Sequence, residues 1–346
     1  MSGQGPLPEE FPVLARDMAG AGSPEELCAV HSRLSAQLGG WLDQGLGAGR
    51  IGWLAALVRD QLMARAAQLA LKALADPGPM GLAVLGSEGR REQYLATDQD
   101  NALVLAQEAD PRIAGEFARA LMDILARAGL PPCPHKVTAD NLQWRMTLAD
   151  WMQDIRDMAH GPDEIAVLRL SLLADMRPVW GREDLVSGLA GHLRRVLRDN
   201  TMALRTMARE AVRFEAPLGL LGGLVLDHGH LDLKRGGIFP LTQGARVLAM
   251  ELDLGDTGTS QRLEGAALAN VLSRDTARDL VEAYGFLQEL RLRSQAAKLA
   301  QGLTPDNQIS PADLSGLTRS HLKDCLGVVA DFQELLSAKY SLHLLT

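Results

Sequence analysis

Apolar residues near the start of the chain recur at helical spacing: Leu27, Val30, Leu34 and Leu38 step by three and four behind Ser23, a natural N-cap. A second run, residues 51–75, carries Leu54, Leu57, Val58, Leu62, Ala66 and Leu69 at the same period, so residues 24–76 predict a helical hairpin or small bundle. Residues 1–23, rich in Gly, Pro and acids and without a sustained period, read as a loose arm. Past the breaker Asp76-Pro77-Gly78-Pro79 the pattern shortens. Residues 81–85 and 102–105 are brief apolar runs of the kind buried strands show, and residues 111–129 return to helix with Ile113, Phe117, Leu121 and Leu125 in phase. Residues 144–158 predict an amphipathic helix, residues 168–174 fit a buried strand or a helix alike, and 184 to about 214 predict one or two long helices. Two further periodic segments, 275–300 and 318–340, are separated by TPDNQISP, where Pro305 and Pro311 forbid a continuous helix. Strand, polar turn, strand, helix is an α/β opening, so the chain divides into an arm (1–23), a helical hairpin or bundle (24–76), an α/β domain (77–183) and a C-terminal helical domain (184–346).

Composition narrows the function. At 346 residues the chain is long enough for two or three cores, and its three cysteines, Cys28, Cys133 and Cys325, show no zinc or disulfide spacing; a reducing cytosol fits them. A net charge of -8 argues against a nucleic-acid partner. The acidic N-terminus lacks the basic flank and apolar run of a signal peptide, and the glycine-interrupted run at 218–226 is about half the ~20 residues a membrane span needs, so a soluble cytoplasmic protein without a membrane partner is expected.

The chemistry concentrates in GSEGRREQYLATDQDN, residues 86–101, between the two strand-like runs. Side chains alternate along an extended segment, so from Thr97 to Leu105 Asp98 and Asp100 would share one side with about 7 Å between their α-carbons. Paired carboxylates repel unless a cation lies between them, and hard oxygen ligands suit Mg²⁺ or Mn²⁺ with substrate phosphates. Upstream, Gly86 and Ser87 follow the first strand, where the chain turns and backbone N–H groups and a hydroxyl can meet a phosphate. Gly89 allows close approach, and Arg90 and Arg91 are suited to clamp phosphate oxygens. Together these are the elements of metal-assisted phosphoryl or nucleotidyl transfer. A solvated, helix-capping turn is the simpler alternative, but the flanking core-like runs place these polar atoms at the rim of a sheet.

On these residues the chain resembles the nucleotidyltransferase superfamily, and more narrowly the nucleotidyltransferase-like domains related to bacterial protein-PII uridylyltransferase. The likeness extends to CPHKVTADNLQWR (133–145), DMRPVWG (175–181), LDLKRGGIFPLTQGARVLAMEL (231–252) and LRLRSQAAKLAQGLTPDNQISPADL (290–314). It implies an α+β, mostly helical protein with a small mixed sheet, flanked by N-terminal helices and a C-terminal helical domain. It further implies a nucleoside triphosphate held at Gly86 and Ser87, with Gly89 and Arg90 added by their own chemistry, Mg²⁺ or Mn²⁺ on Asp98 and Asp100, and a third carboxylate, for which Asp175 is the candidate and Asp140 the alternative. The acceptor would be a hydroxyl, with a regulatory protein the one suggested by uridylyltransferases. Relatives often carry CBS or cyclic-nucleotide-binding domains, for which this chain leaves no room; His135 and Lys136 depart from the family pattern and read as solvated loop residues.

Other constellations weigh less. DHGHLD (227–232) resembles a metal motif, but a turn into a hairpin accounts for it. Lys234 and Arg235, before two glycines, could face the nucleotide from the second domain or fix a structural loop. Arg291 and Arg293, two apart on a predicted helix, cannot share a face. Trp144, Trp151 and Trp180 read as core. Ser87 has no His-Asp partner nearby in sequence, which makes a hydrolase nucleophile a poor reading. The same pocket could instead bind a nucleotide without chemistry, and the Gly-Ser turn argues against a glycosyltransferase reading of the DxD pair.

Overall fold

The computed structural model describes residues 6–95, 98–219 and 222–344. Thr97 of the expected extended segment, and Leu220 and Leu221 of the apolar run at 218–226, lie outside them. Helices dominate and one small mixed sheet is present, so the chain is α+β and mostly helical. Two compact units divide it: Met1–Trp151 with Arg177–Ser187, and Met152–Met176 with Gly188–Thr346.

The first unit opens with α1 (Phe11–Gly20), α2 (Pro24–Asp43) and α3 (Ala48–Leu71). Ser23 starts α2 by accepting a hydrogen bond from Glu26 N at 3.2 Å, with Pro24 in the first turn. The stretch expected to be a loose arm is in part wrong: α1 is a helix whose Leu14 and Met18 are buried. Its apolar signal is only this one i, i+4 pair, flanked by Pro and Gly, which hides it in a pattern search.

The sheet follows. β1 (Met80–Val84) leads into a single helical turn, α4 (Gly86–Gly89), and returns as β2 (Asn101–Leu105), antiparallel, with Val84 opposite Asn101. Every residue of both strands is buried, which is why they appear in the sequence as continuous rather than alternating apolar runs. After α5 (Pro111–Arg127), capped by Asp110, come β3 (Arg145–Thr147), parallel to β2, and β4 (Arg177–Gly181), antiparallel to β1. Strand order is β3-β2-β1-β4. Gly81 lets β1 approach the end of β4 closely: a Cβ there would lie 2.5 Å from Arg182 O.

The helix predicted over 144–158 starts later, as α6 (Leu148–His160). Thr147 and Asp150 cap one another, Asp150 N donating to Thr147 Oγ1 and Thr147 Oγ1 to Asp150 Oδ2, so the residues before 147 are free to pair as β3. Both Trp144 and Trp151 are buried, and Trp151 Nε1 donates to Leu103 O.

In the second unit the ambiguous segment 168–174 resolves as helix: it belongs to α7 (Glu164–Leu173), capped by Asp163. The remaining elements are α8 (Glu183–Arg198), which begins in the first unit, then α9 (Thr201–Ala211), β5 (Leu231–Asp232), α10 (Phe239–Glu251), α11 (Thr259–Leu268), α12 (Arg274–Ala300), β6 (Gln308–Ile309) and α13 (Gly316–Lys339). DHGHLD is a turn, with His228 and Gly229 at positive φ, that leads into the β5–β6 pair. The division by contacts departs from a single boundary at 183, because residues 152–176 pack with the C-terminal helices.

Candidate functional site

The β1–β2 ladder runs one residue past the strand ends, where Leu85 N donates to Asp100 O at 2.9 Å. The chain then turns at Gly86, whose φ of +53° is the left-handed conformation glycine adopts without steric cost. One helical turn closes through Gly89 N to Leu85 O and Arg90 N to Gly86 O. Gly86 and Ser87 thus sit at the end of β1, beside the start of β2.

Asp98 and Asp100 come together on the approach to β2. The residue between them, Gln99, forms a parallel bridge with Pro132, its N–H donating to Pro131 O and its side-chain amide to Leu130 O. Buried Asn101 extends this docking, donating from its N to Val137 O and accepting from Ala139 N at 2.8 Å. These bonds carry Cys133 to the two aspartates: one ligand atom from each of Asp98, Asp100 and Cys133 lies within 4.8 Å of the others. Burial pushes the Cys133 thiol up to about 11, and its hydrogen bond to Asp100 acts in the same direction. Sequence spacing did not reveal Cys133, because only the tertiary pairing of residue 99 with residue 132 places it here.

Beneath this cluster lies a charged core. Arg59 on α3 is fully buried, donating to Gln93 O at 2.9 Å and Tyr94 O at 2.5 Å, and lies 3.6 Å from the Glu88 carboxylate. Burial holds the Glu88 carboxyl above its ordinary range. Gln93 in turn donates from Nε2 to Asp98 O at 3.1 Å and Oδ1 at 3.3 Å. Residues 91–94 after the Gly-Ser turn are therefore held from α3, where Gly52 admits them: a Cβ there would lie 2.6 Å from Arg91 O. Arg177 pairs with Asp60 through two bonds of 2.7 and 2.8 Å and donates to Glu88 O. The sequence signal for Arg59 was a charge inside an apolar helical stripe, between Val58 and Leu62.

Other residues singled out in the sequence have different places. The Arg90 guanidinium pairs with Glu92 at 2.6 Å, so as placed it braces the loop. Asp175 is not in the Asp98–Asp100–Cys133 group. It belongs to the second unit, has no exposed surface, and its carboxylate receives Arg246 and Arg262 at 2.6 and 2.7 Å. Asp140 is exposed, accepts from Thr138 Oγ1, and is not in the Asp98 cluster; His135 and Lys136 are exposed too. Lys234 and Arg235 open a π-helical turn in the second unit, where Arg235 lies 4.3 Å over the Phe214 ring and lines a cleft of about 530 Å³. On α12, Arg291 is buried while Arg293 is exposed and paired with Glu289.

An antiparallel pair joined through a Gly-Ser turn, with two aspartates entering the second strand, is the arrangement that the resemblance to nucleotidyltransferases implies. Residues 32–165 match the family described as Putative nucleotidyltransferase DUF294, and residues 201–340 match Putative nucleotidyltransferase substrate binding domain. The chain thus carries both of these domains, which are found in proteins like PII uridylyltransferase. No curated protein matches it. Among the described residues no helix is long and apolar enough to cross a membrane.

Proposed function

We propose that the protein transfers a nucleoside monophosphate from a nucleoside triphosphate to an acceptor hydroxyl, with pyrophosphate leaving. The observation that carries this reading is the convergence of Asp98 and Asp100 beside the Gly86-Ser87 turn, in a domain of the nucleotidyltransferase family. Two carboxylates on one side fit a divalent cation, Mg²⁺ or Mn²⁺, which would polarise the phosphoryl oxygens. The turn's backbone and the Ser87 hydroxyl hold the phosphates, and Gly89 keeps the ligand's approach open. Arg90 acts by bracing the turn through Glu92, and Gln93 orients Asp98. Asp175 is left out of the catalytic set. In the second unit, Arg235 and the neighbouring Lys234 serve substrate recognition at the 530 Å³ cleft, with a hydroxyl on a regulatory protein the acceptor that the uridylyltransferase likeness suggests.

One observation favours a second reading, nucleotide binding without turnover: among the described residues the Asp98–Asp100 cluster holds no third carboxylate. The two separate in one assay. The protein is incubated with each α-labelled triphosphate, Mg²⁺ or Mn²⁺ and cell extract, beside the Asp98→Asn/Asp100→Asn variant. Transfer that falls about a hundredfold or more in the variant supports catalysis. Equal transfer by both sinks the assignment, and calorimetric nucleotide binding without transfer establishes the binding module.

A further inference from the structure

The aspartate pair has a neighbour that its assumed chemistry does not use. Cys133 Sγ lies within 4.8 Å of carboxylate oxygens of both Asp98 and Asp100. A second observation comes from a small cavity, about 20 Å³, bounded by Arg59, Glu88, Asp98, Gln99 and Asp100 among others. That is room for one ion or water. The Glu88 side chain, nine-tenths buried, bounds it with neither carboxylate oxygen hydrogen-bonded, since Arg59 stands off at 3.6 Å. Gln99 Oε1, on a side chain bounding the same cavity, also lacks a partner. Unpartnered oxygens of Glu88 and Gln99 thus bound the same space as Asp98 and Asp100, the surroundings a cation satisfies.

We propose that Cys133 is the third ligand of the metal site, so that Asp98, Asp100 and Cys133 hold a borderline divalent cation of the Zn²⁺ or Co²⁺ type in preference to Mg²⁺. The inference rests on the reading of Asp98 and Asp100 as a metal pair. Carboxylate oxygens alone suit Mg²⁺, whereas a sulfur in the set selects cations that accept thiolate, and Zn²⁺ accepts both. On binding, the sulfur–metal bond replaces the S–H bond and the proton passes to solvent. The third position, which the resemblance expects a carboxylate to fill, is then filled by a softer donor.

Co²⁺ is the probe, read by absorption on the full chain. Wild-type protein should develop a thiolate-to-cobalt charge-transfer band that saturates with Co²⁺ and resists excess Mg²⁺. In Cys133→Ser the band should vanish while the weaker visible cobalt bands remain, with affinity lowered at least about tenfold. Co²⁺ bound by the wild type without a charge-transfer band overturns the role of Cys133 and leaves the aspartate pair standing; this reading needs no variant to fold. A band that persists in Cys133→Ser belongs to Cys28 or Cys325 and overturns it equally. Binding that is absent from the wild type, or unchanged in Asp98→Asn/Asp100→Asn, overturns the aspartate pair as well.

Discussion

His31 on α2 is buried, and its ring is pushed down to about 3, chiefly by burial and then by the nearby Arg59 charge. It is therefore neutral in the folded chain, while in the unfolded chain it takes up a proton near its ordinary value of about 6.5. The sign follows: the stability it contributes is complete above that value and is lost as pH falls toward 3, on the order of 2 kcal/mol of it by pH 5. Urea unfolding at pH 7 and pH 5 should show this loss in the wild type and a smaller one in His31→Gln; equal losses would dismiss it. Removing the buried charge beside it is harsher. Arg59→Met strands Glu88 and frees the carbonyls of Gln93 and Tyr94, and should cost about 3–5 kcal/mol by the same measurement, with Asp60→Asn costing less. The site residues divide by the kind of signal they carry. Asp98 and Asp100 were legible because alternation along an extended segment is local, and Gly86 because it follows a strand-like run directly, where the chain has to turn. Arg59, Glu88 and Cys133 were not, since each owes its place to a partner more than 25 positions away in the chain.

Helix pairs show why the same substitution can have opposite signs. Gly244 in α10 faces α13 so closely that a Cβ would overlap Phe332 and stand 2.6 Å from Leu336, whereas a Cβ at Gly285 in α12 would meet nothing within 4 Å. Gly→Ala gains up to about 1 kcal/mol of helix propensity at either position. At Gly244 the overlap opposes it with about 1–3 kcal/mol, so Gly244→Ala should destabilise while Gly285→Ala stabilises. Denaturant midpoints of the two variants test the contrast, and a shift of the same sign in both would refute it. Long periodic elements were readable for the complementary reason: α2, α3, α5, α12 and α13 each present a sustained apolar face, and β1 and β2 a compact apolar run. α1 and β3 escaped because one buried pair and three half-buried residues carry too little periodic signal. The helix α7 could not be told from a strand in a short apolar window, until Asp163 is recognised as its cap.

The division of the whole chain turns on Asp175. A boundary read along the sequence at 183 assigns it to the α/β domain, yet its carboxylate joins Arg246 of α10 and Arg262 of α11 inside the second unit, where Arg262 also donates to Ala174 O at 2.6 Å. Burying two guanidiniums is tolerable only with that carboxylate, so losing it leaves uncompensated charge worth about 3–5 kcal/mol, a large share of ordinary domain stability. A fragment spanning 152–346 retains α7 and Asp175 and should give a cooperative unfolding transition. A fragment spanning 184–346 lacks both and should show none, or one at much lower denaturant. In the full chain, Asp175→Asn should lower stability by a similar amount yet leave Co²⁺ binding at Asp98 and Asp100 intact. An Asp175→Asn protein with full stability and no metal binding would instead return Asp175 to the catalytic set, and two fragments of equal stability would restore the boundary at 183.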